Sequence, residues 1–136
     1  MKSYVLDASA VLRFTDREPG FERVRDLLGQ AAQGEAKLAM SAVSWSEVVH
    51  AVMKRGGAQA ETILDNLAAL PFEVVSVDAA TAAEAGRLKA RCGIRYADAF
   101  AAALALRQPD SILVTADNDF RELPRGAMAT EFLPGQ

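Results

Sequence analysis

The stretch from Gly93 to Leu106, GIRYADAFAAALAL, constrains the fold more than any other part of the chain. From Ala99 to Leu106 it carries no charge, and Ala99, Ala101, Ala102, Ala103 and Ala105 are small enough to let neighbouring backbones approach closely. Phe100, Leu104 and Leu106 supply larger apolar groups, so the pattern predicts a helix buried over most of its circumference. One acid, Asp98, stands at the head of this helix. A carboxylate in a first turn faces unpaired N–H groups and gains about 0.3–1 kcal/mol from the helix dipole. The alternative is that Asp98 belongs to a group of acids brought to one point, and the positions of the other acids decide between the two.

Short runs with β propensity, Ser3–Leu6, Ala36–Met40, Phe72–Val77 and Ile112–Thr115, alternate with helical patterns. The helices are read from Ala8 through Phe14, over Phe21–Ala32, Ala42–Lys54, Ala58–Leu70 and Ala79–Arg91, and in the Asp98 stretch itself. A last short helix opens at Ala116–Phe120, and the tail from Ala127 to Leu133 reads as an edge strand. Strands alternating with helices predict a mainly parallel sheet of four to five strands covered on both faces, an α/β/α sandwich. At 136 residues the chain fits a single domain, 1–136, that buries about 70% of its unfolded surface. Ligands of such sheets bind beyond the carboxyl ends of the strands, and Asp7 and Asp117 each follow directly on a strand.

Composition excludes several classes. One cysteine, Cys92, and one histidine, His50, cannot build a disulfide, a zinc site or a persuasive Cys–His pair, so Cys92 is read as structural and the compartment as a reducing cytoplasm. No segment has the length of a membrane span or a signal peptide. A net charge of -3 argues against a general nucleic-acid coat. Setting Asp7, Glu47, Asp98, Asp117 and Asp119 aside as a cation-neutralised group leaves 13 of the 18 acids against 15 basic residues, a slightly positive remainder.

Each of these acids has an innocent role when taken alone. Ser41 and Ser44 both offer N-caps for the Ala42–Lys54 helix, and Ser44-Trp45-Ser46-Glu47 matches a capping box, with Glu47 reaching back to the Ser44 N–H. Asp7 or Ser9 can cap the first helix, and Asp117 or Asp119 the last, at about 1 kcal/mol each. Together they fall at strand-to-helix junctions or early in helices, positions that a parallel sheet gathers along one edge. Two carboxylates about 4 Å apart repel by roughly 4 kcal/mol at an effective dielectric of 20. A convergent group therefore calls for a cation, and all-oxygen donors favour Mg²⁺ or Mn²⁺. Glu47 and His50 also show the Glu-x-x-His spacing of di-iron bundles, but that chemistry needs a second histidine, so His50 is read as a half-buried helix residue.

Four segments, VLDASAVL, SAVSWSEVV, YADAFAAALA and LVTADNDF, taken in order, resemble the PIN-domain family and within it the VapC-type toxins of bacterial toxin-antitoxin pairs. The resemblance implies an α/β/α sandwich and a Mg²⁺- or Mn²⁺-dependent ribonuclease. On it, Asp7, Glu47, Asp98 and Asp117 match the acidic quartet, Asp119 a frequent additional acid, and Ser9 and Thr115 hydroxyls that orient the site. It further implies tRNA or ribosomal RNA as substrate, a small antitoxin occupying the acidic groove, and a homodimer.

The mechanism so implied is phosphodiester hydrolysis. Asp7, Asp98 and Asp117, with Asp119, hold the metal directly or through water, and Glu47 is a ligand or positions the attacking water. Arg13, Lys54, Arg87, Lys89, Arg91 and Arg95 are candidate RNA phosphate contacts, weighed against the ordinary role of solvated helix faces. The competing reading is a non-catalytic module whose acidic pocket receives a basic partner peptide. An aspartyl-phosphate phosphatase would need Asp-x-Asp after the first strand, where this chain has Asp7-Ala8-Ser9.

Overall fold

The structure is a computed structural model and describes residues 1–123 and 128–134. Five parallel strands, β1 Lys2–Leu6, β2 Ala36–Ser41, β3 Glu73–Val75, β4 Ser111–Thr115 and β5 Ala129–Phe132, form one sheet in the order β3-β2-β1-β4-β5. Among the described residues six α-helices cover it: α1 Ala8–Asp16, α2 Phe21–Ala32, α3 Ala42–Arg55, α4 Ala60–Ala68, α5 Ala79–Cys92 and α6 Tyr96–Arg107. The expected parallel sandwich is thus observed. Ala127, with which the expected edge strand began, lies outside the described residues; β5 itself spans Ala129–Phe132.

Alternation along each strand sorts the side chains into two cores. Tyr4, Leu6, Leu38, Met40 and Val114 face α1 to α4, packing on Val11, Leu27, Val48 and Leu64. Val5, Ala39 and Leu113 face the other way, onto α5 and α6. In α6, Ala99, Ala101, Ala102 and Ala103 are fully inaccessible and Leu104 and Ala105 nearly so, as the uncharged pattern predicted. Cys92 is partly buried and packs against this second core. Among the described residues no helix is long and apolar enough to cross a membrane.

Some local expectations change. The strand read as Phe72–Val77 keeps only Glu73–Val75 in the sheet, and the last short helix is a 3-10 turn over Asn118–Glu122. The helix read from Ala58 begins with a 3-10 turn at Gly57–Gln59 before α4 proper. Of the two serines that the sequence offers as caps of α3, Ser41 serves and Ser44 does not. Pairing of Ser41 with Val75 holds β2 extended to its end, so the helix starts at Ala42 and the Ser41 hydroxyl accepts from the Val43 N–H at 3.2 Å. Ser44 then falls inside the first turn, fully buried, and its hydroxyl has no partner among the described residues.

Chain order reverses beside β1: the chain passes from β1 outward through β2 to β3, then returns to place β4 on the opposite flank. Such a switch point opens a crevice at the strand ends. Register pairs Leu6 with Val114, and the Asp7 N–H donates to the Val114 carbonyl at 3.2 Å, so Asp7 and Thr115 leave the sheet side by side.

Candidate metal centre

Asp7 is the N-cap of α1 and is almost wholly buried. Its Oδ1 accepts from the Ser9 hydroxyl at 2.7 Å and the Ala10 N–H at 3.0 Å, and its Oδ2 accepts from the Thr115 hydroxyl at 2.6 Å. Thr115 Oγ1 in turn accepts from the Asp117 N–H at 2.9 Å, and Ser9 Oγ from the Ala116 N–H at 2.9 Å. The two hydroxyls therefore lock the end of β1 to the turn after β4. Burial pushes the Asp7 carboxyl up to about 6, against the opposing pull of these hydrogen bonds.

Asp98, in the first turn of α6, is likewise buried, while Asp117 caps the 3-10 turn by accepting from the Asp119 N–H at 2.9 Å. One carboxylate oxygen from each of Asp98, Asp117 and Asp119 lies within 4.8 Å of the other two. Between the first two of these acids sits a cation of the chain's own. Arg95 donates from Nε to Asp98 Oδ2 at 3.2 Å and from Nη2 to Asp98 Oδ1 at 3.4 Å and Asp117 Oδ2 at 3.0 Å. Burial raises the Asp98 carboxyl, with Arg95 acting against the rise, and that pairing raises Arg95 itself.

Glu47 approaches from α3. As the helix begins at Ala42, Glu47 is beyond the first turn and points into the same cavity, of about 290 Å³, which Asp7, Ser9, Leu12, His50, Arg95, Asp98 and Asp117 also line. Burial raises the Glu47 carboxyl. His50, read from sequence as half-buried, is exposed, and it stands one turn beyond Glu47 on the cavity wall. Leu12 carries no sequence signal for the site, and His50 carries only the Glu47-x-x-His50 spacing, which points to different chemistry.

The structure therefore brings Asp7, Ser9, Glu47, Asp98, Thr115, Asp117 and Asp119 together. The basic candidates scatter. Arg13 donates to the Pro19 carbonyl at 2.8 Å and the Pro134 carbonyl at 3.4 Å, tying the loop after α1 to the C-terminal tail. Lys89 donates to the Ile94 carbonyl at 3.0 Å and lies over the Tyr96 ring, bracing the turn between α5 and α6. Arg87 pairs with Glu84, and Lys54 and Arg91 are exposed on the surface. Of the six, only Arg95 lines the acidic cavity.

The model of the PIN domain family matches residues 4–126. This chain belongs to the PIN domain family. Three solved structures with which this PIN domain protein shares its fold are VapBC2 from Rickettsia felis bound to a DNA fragment from their promoter, VapBC from Salmonella typhimurium in its DNA-bound form, and VapBC-5 from Mycobacterium tuberculosis. The first is 20% identical, with a TM-score of 0.77 over 97% of this chain and 99% of that chain. The second is 16% identical, with a TM-score of 0.71 over 97% and 98%. The third is 22% identical, with a TM-score of 0.62 over 98% of each. At these identities the likeness is one of fold. No curated protein matches the PIN domain chain in sequence.

Proposed function

We propose that this PIN domain protein is a Mg²⁺- or Mn²⁺-dependent endoribonuclease acting as the toxin of a toxin-antitoxin pair. The observation that carries the reading is the convergence of Asp98, Asp117 and Asp119 at the strand-end crevice, with Asp7 and Glu47 on its walls. The donor set fits the ion: it is all oxygen, it is hard, and a guanidinium already stands in as cation between two of its members. Asp98, Asp117 and Asp119 would hold the metal, with Asp7 on the cavity wall as a further ligand, directly or through water. A bound divalent ion supplies Lewis acidity and a water of lowered pKa. Glu47, whose carboxyl is raised by burial, would be a ligand or would take a proton from an attacking water entering the cavity. Ser9 and Thr115 hold Asp7 in one orientation, and Leu12 and Ala51 form the apolar part of the wall.

The fold shared with VapBC structures supports an antitoxin partner, and a homodimer belongs to the same reading. RNA, with tRNA or ribosomal RNA as the target, is proposed as substrate, its phosphates meeting Arg95 at the cavity and the exposed Lys54 and Arg91 farther out. The test is purified protein incubated with RNA and Mn²⁺ beside an Asp98→Asn variant. Decay of RNA by the native protein and at least about 100-fold less by the variant is the expected result; equal decay in both overturns the assignment. The seat of Arg95 between Asp98 and Asp117 favours one second reading, a non-catalytic pocket for a partner's arginine, which calorimetry separates because such a pocket takes up no Mn²⁺.

A further inference from the structure

Arg95 is the N-cap residue of α6, yet its side chain makes no capping bond. It turns instead to Asp98 and Asp117, filling the point at which their carboxylates meet. A divalent ion and this guanidinium draw on the same two carboxylates and repel each other as like charges, so they compete for the site. We propose that Arg95 is an internal counter-ion that competes with the divalent cation for Asp98 and Asp117 and is released toward the cavity rim when the site loads. This inference rests on the reading of the acidic cluster as a metal centre.

Burial and charge support it. The Asp98 side chain is only 4% exposed and is fixed in its helix, whereas that of Arg95 is 62% exposed and has solvent to move into. A single delocalised charge bridges two of the acids, and the described bonds of Arg95 do not extend to Asp119, whose carboxylate lies within 4.8 Å of theirs. A divalent ion can draw in that third oxygen, so the exchange favours metal at sufficient concentration. In the metal-free protein the guanidinium offsets carboxylate repulsion and holds the crevice assembled. Uptake of metal is then opposed by a group of the chain itself, which sets a threshold concentration for loading.

The test is calorimetric titration of Mn²⁺ into metal-free native protein, Arg95→Met and Arg95→Lys. Because ion pairs this exposed are weak, Arg95→Met is expected to bind Mn²⁺ about three- to tenfold more tightly than the native protein, with Arg95→Lys between them. Thermal melts should show Arg95→Met less stable without metal and more strongly stabilised by it. Equal or weaker Mn²⁺ affinity in both variants overturns the competition while leaving the metal centre standing. Uptake by none of the three proteins overturns the metal centre and the competition together. If Arg95→Met does not fold, the comparison of Arg95→Lys with the native protein decides in the same direction, since lysine keeps the charge but loses the two-armed contact.

Discussion

Thr115, at the end of β4, donates its hydroxyl to Oδ2 of Asp7, just past the end of β1, at 2.6 Å, and the same oxygen of Thr115 accepts the Asp117 N–H. One fully buried hydroxyl thus fixes two acids from segments more than a hundred residues apart. Replacing Thr115 by Val leaves a buried carboxylate oxygen and a backbone N–H without that partner, at a cost of about 1–3 kcal/mol. Thr115→Val should lower the denaturation midpoint accordingly and reduce RNA cleavage by about 10- to 100-fold, whereas Thr115→Ser should stay near the native protein. Equal stability of the Val and Ser variants would show the bond to be idle.

The raised carboxyl of Asp7 ties stability to pH. Its folded value of about 6 exceeds the unfolded 3.8, so the native state binds more protons between those limits and the metal-free protein loses stability as pH climbs through that window. The loss attributable to Asp7 is on the order of 3 kcal/mol and is complete above the folded value. Glu47 and Asp98, raised in the same direction, add to the slope. Asp7→Asn removes the largest contributor, so in EDTA its stability should fall less between pH 4.5 and 7 than that of the native protein. Urea titrations at the two pH values check this, and parallel declines would refute it.

Metal should reverse that trend. A divalent ion binds the ionised acids, so Mn²⁺ should raise the melting temperature more at pH 7 than at pH 5. Differential scanning fluorimetry reads both shifts, and an increment larger at pH 5 would contradict the expectation.

The buried face of α6 admits little added volume. Ala102 is fully inaccessible, so Ala102→Leu should destabilise by about 1–3 kcal/mol through overpacking. Leu106, which is 39% exposed on the same helix, should tolerate Ala at much smaller cost. Circular dichroism melts compare the two, and equal losses would place the buried face of the helix elsewhere.

Ser44 offers the opposite case. Its buried hydroxyl has no partner among the described residues, so Ser44→Ala removes an unpaired polar group and should stabilise by about 1 kcal/mol. Ser46→Ala, an exposed neighbour in the same helix, controls for helix propensity. A gain no larger than that of the control would mean that the Ser44 hydroxyl finds a partner in solution.

What the chain's order of residues determined was whatever rests on local spacing and on burial preference. Short β-prone runs between helical patterns specified the parallel sandwich, and the uncharged run after Asp98 specified a helix closed off from solvent. An acid directly after β1 and another after β4 were legible as neighbours because parallel strands end on one edge. The capping and convergence readings of Asp7 and Asp117 both hold, since a helix N-terminus at a strand end satisfies the acid's hydrogen bonds while aiming it at the crevice.

Tertiary structure decided what depends on contacts between distant segments. Pairing of Ser41 with Val75 chose Ser41 over Ser44 as the cap of α3 and left Glu47 free to face the cavity. Arg13 and Arg95 are the same residue type, each close to a site acid in sequence, yet one meets carbonyls of the tail and the other meets Asp98 and Asp117. The physical reason is reach: a long charged side chain takes the nearest oxygen that the folded backbone presents, and that oxygen is chosen by the packing of other elements.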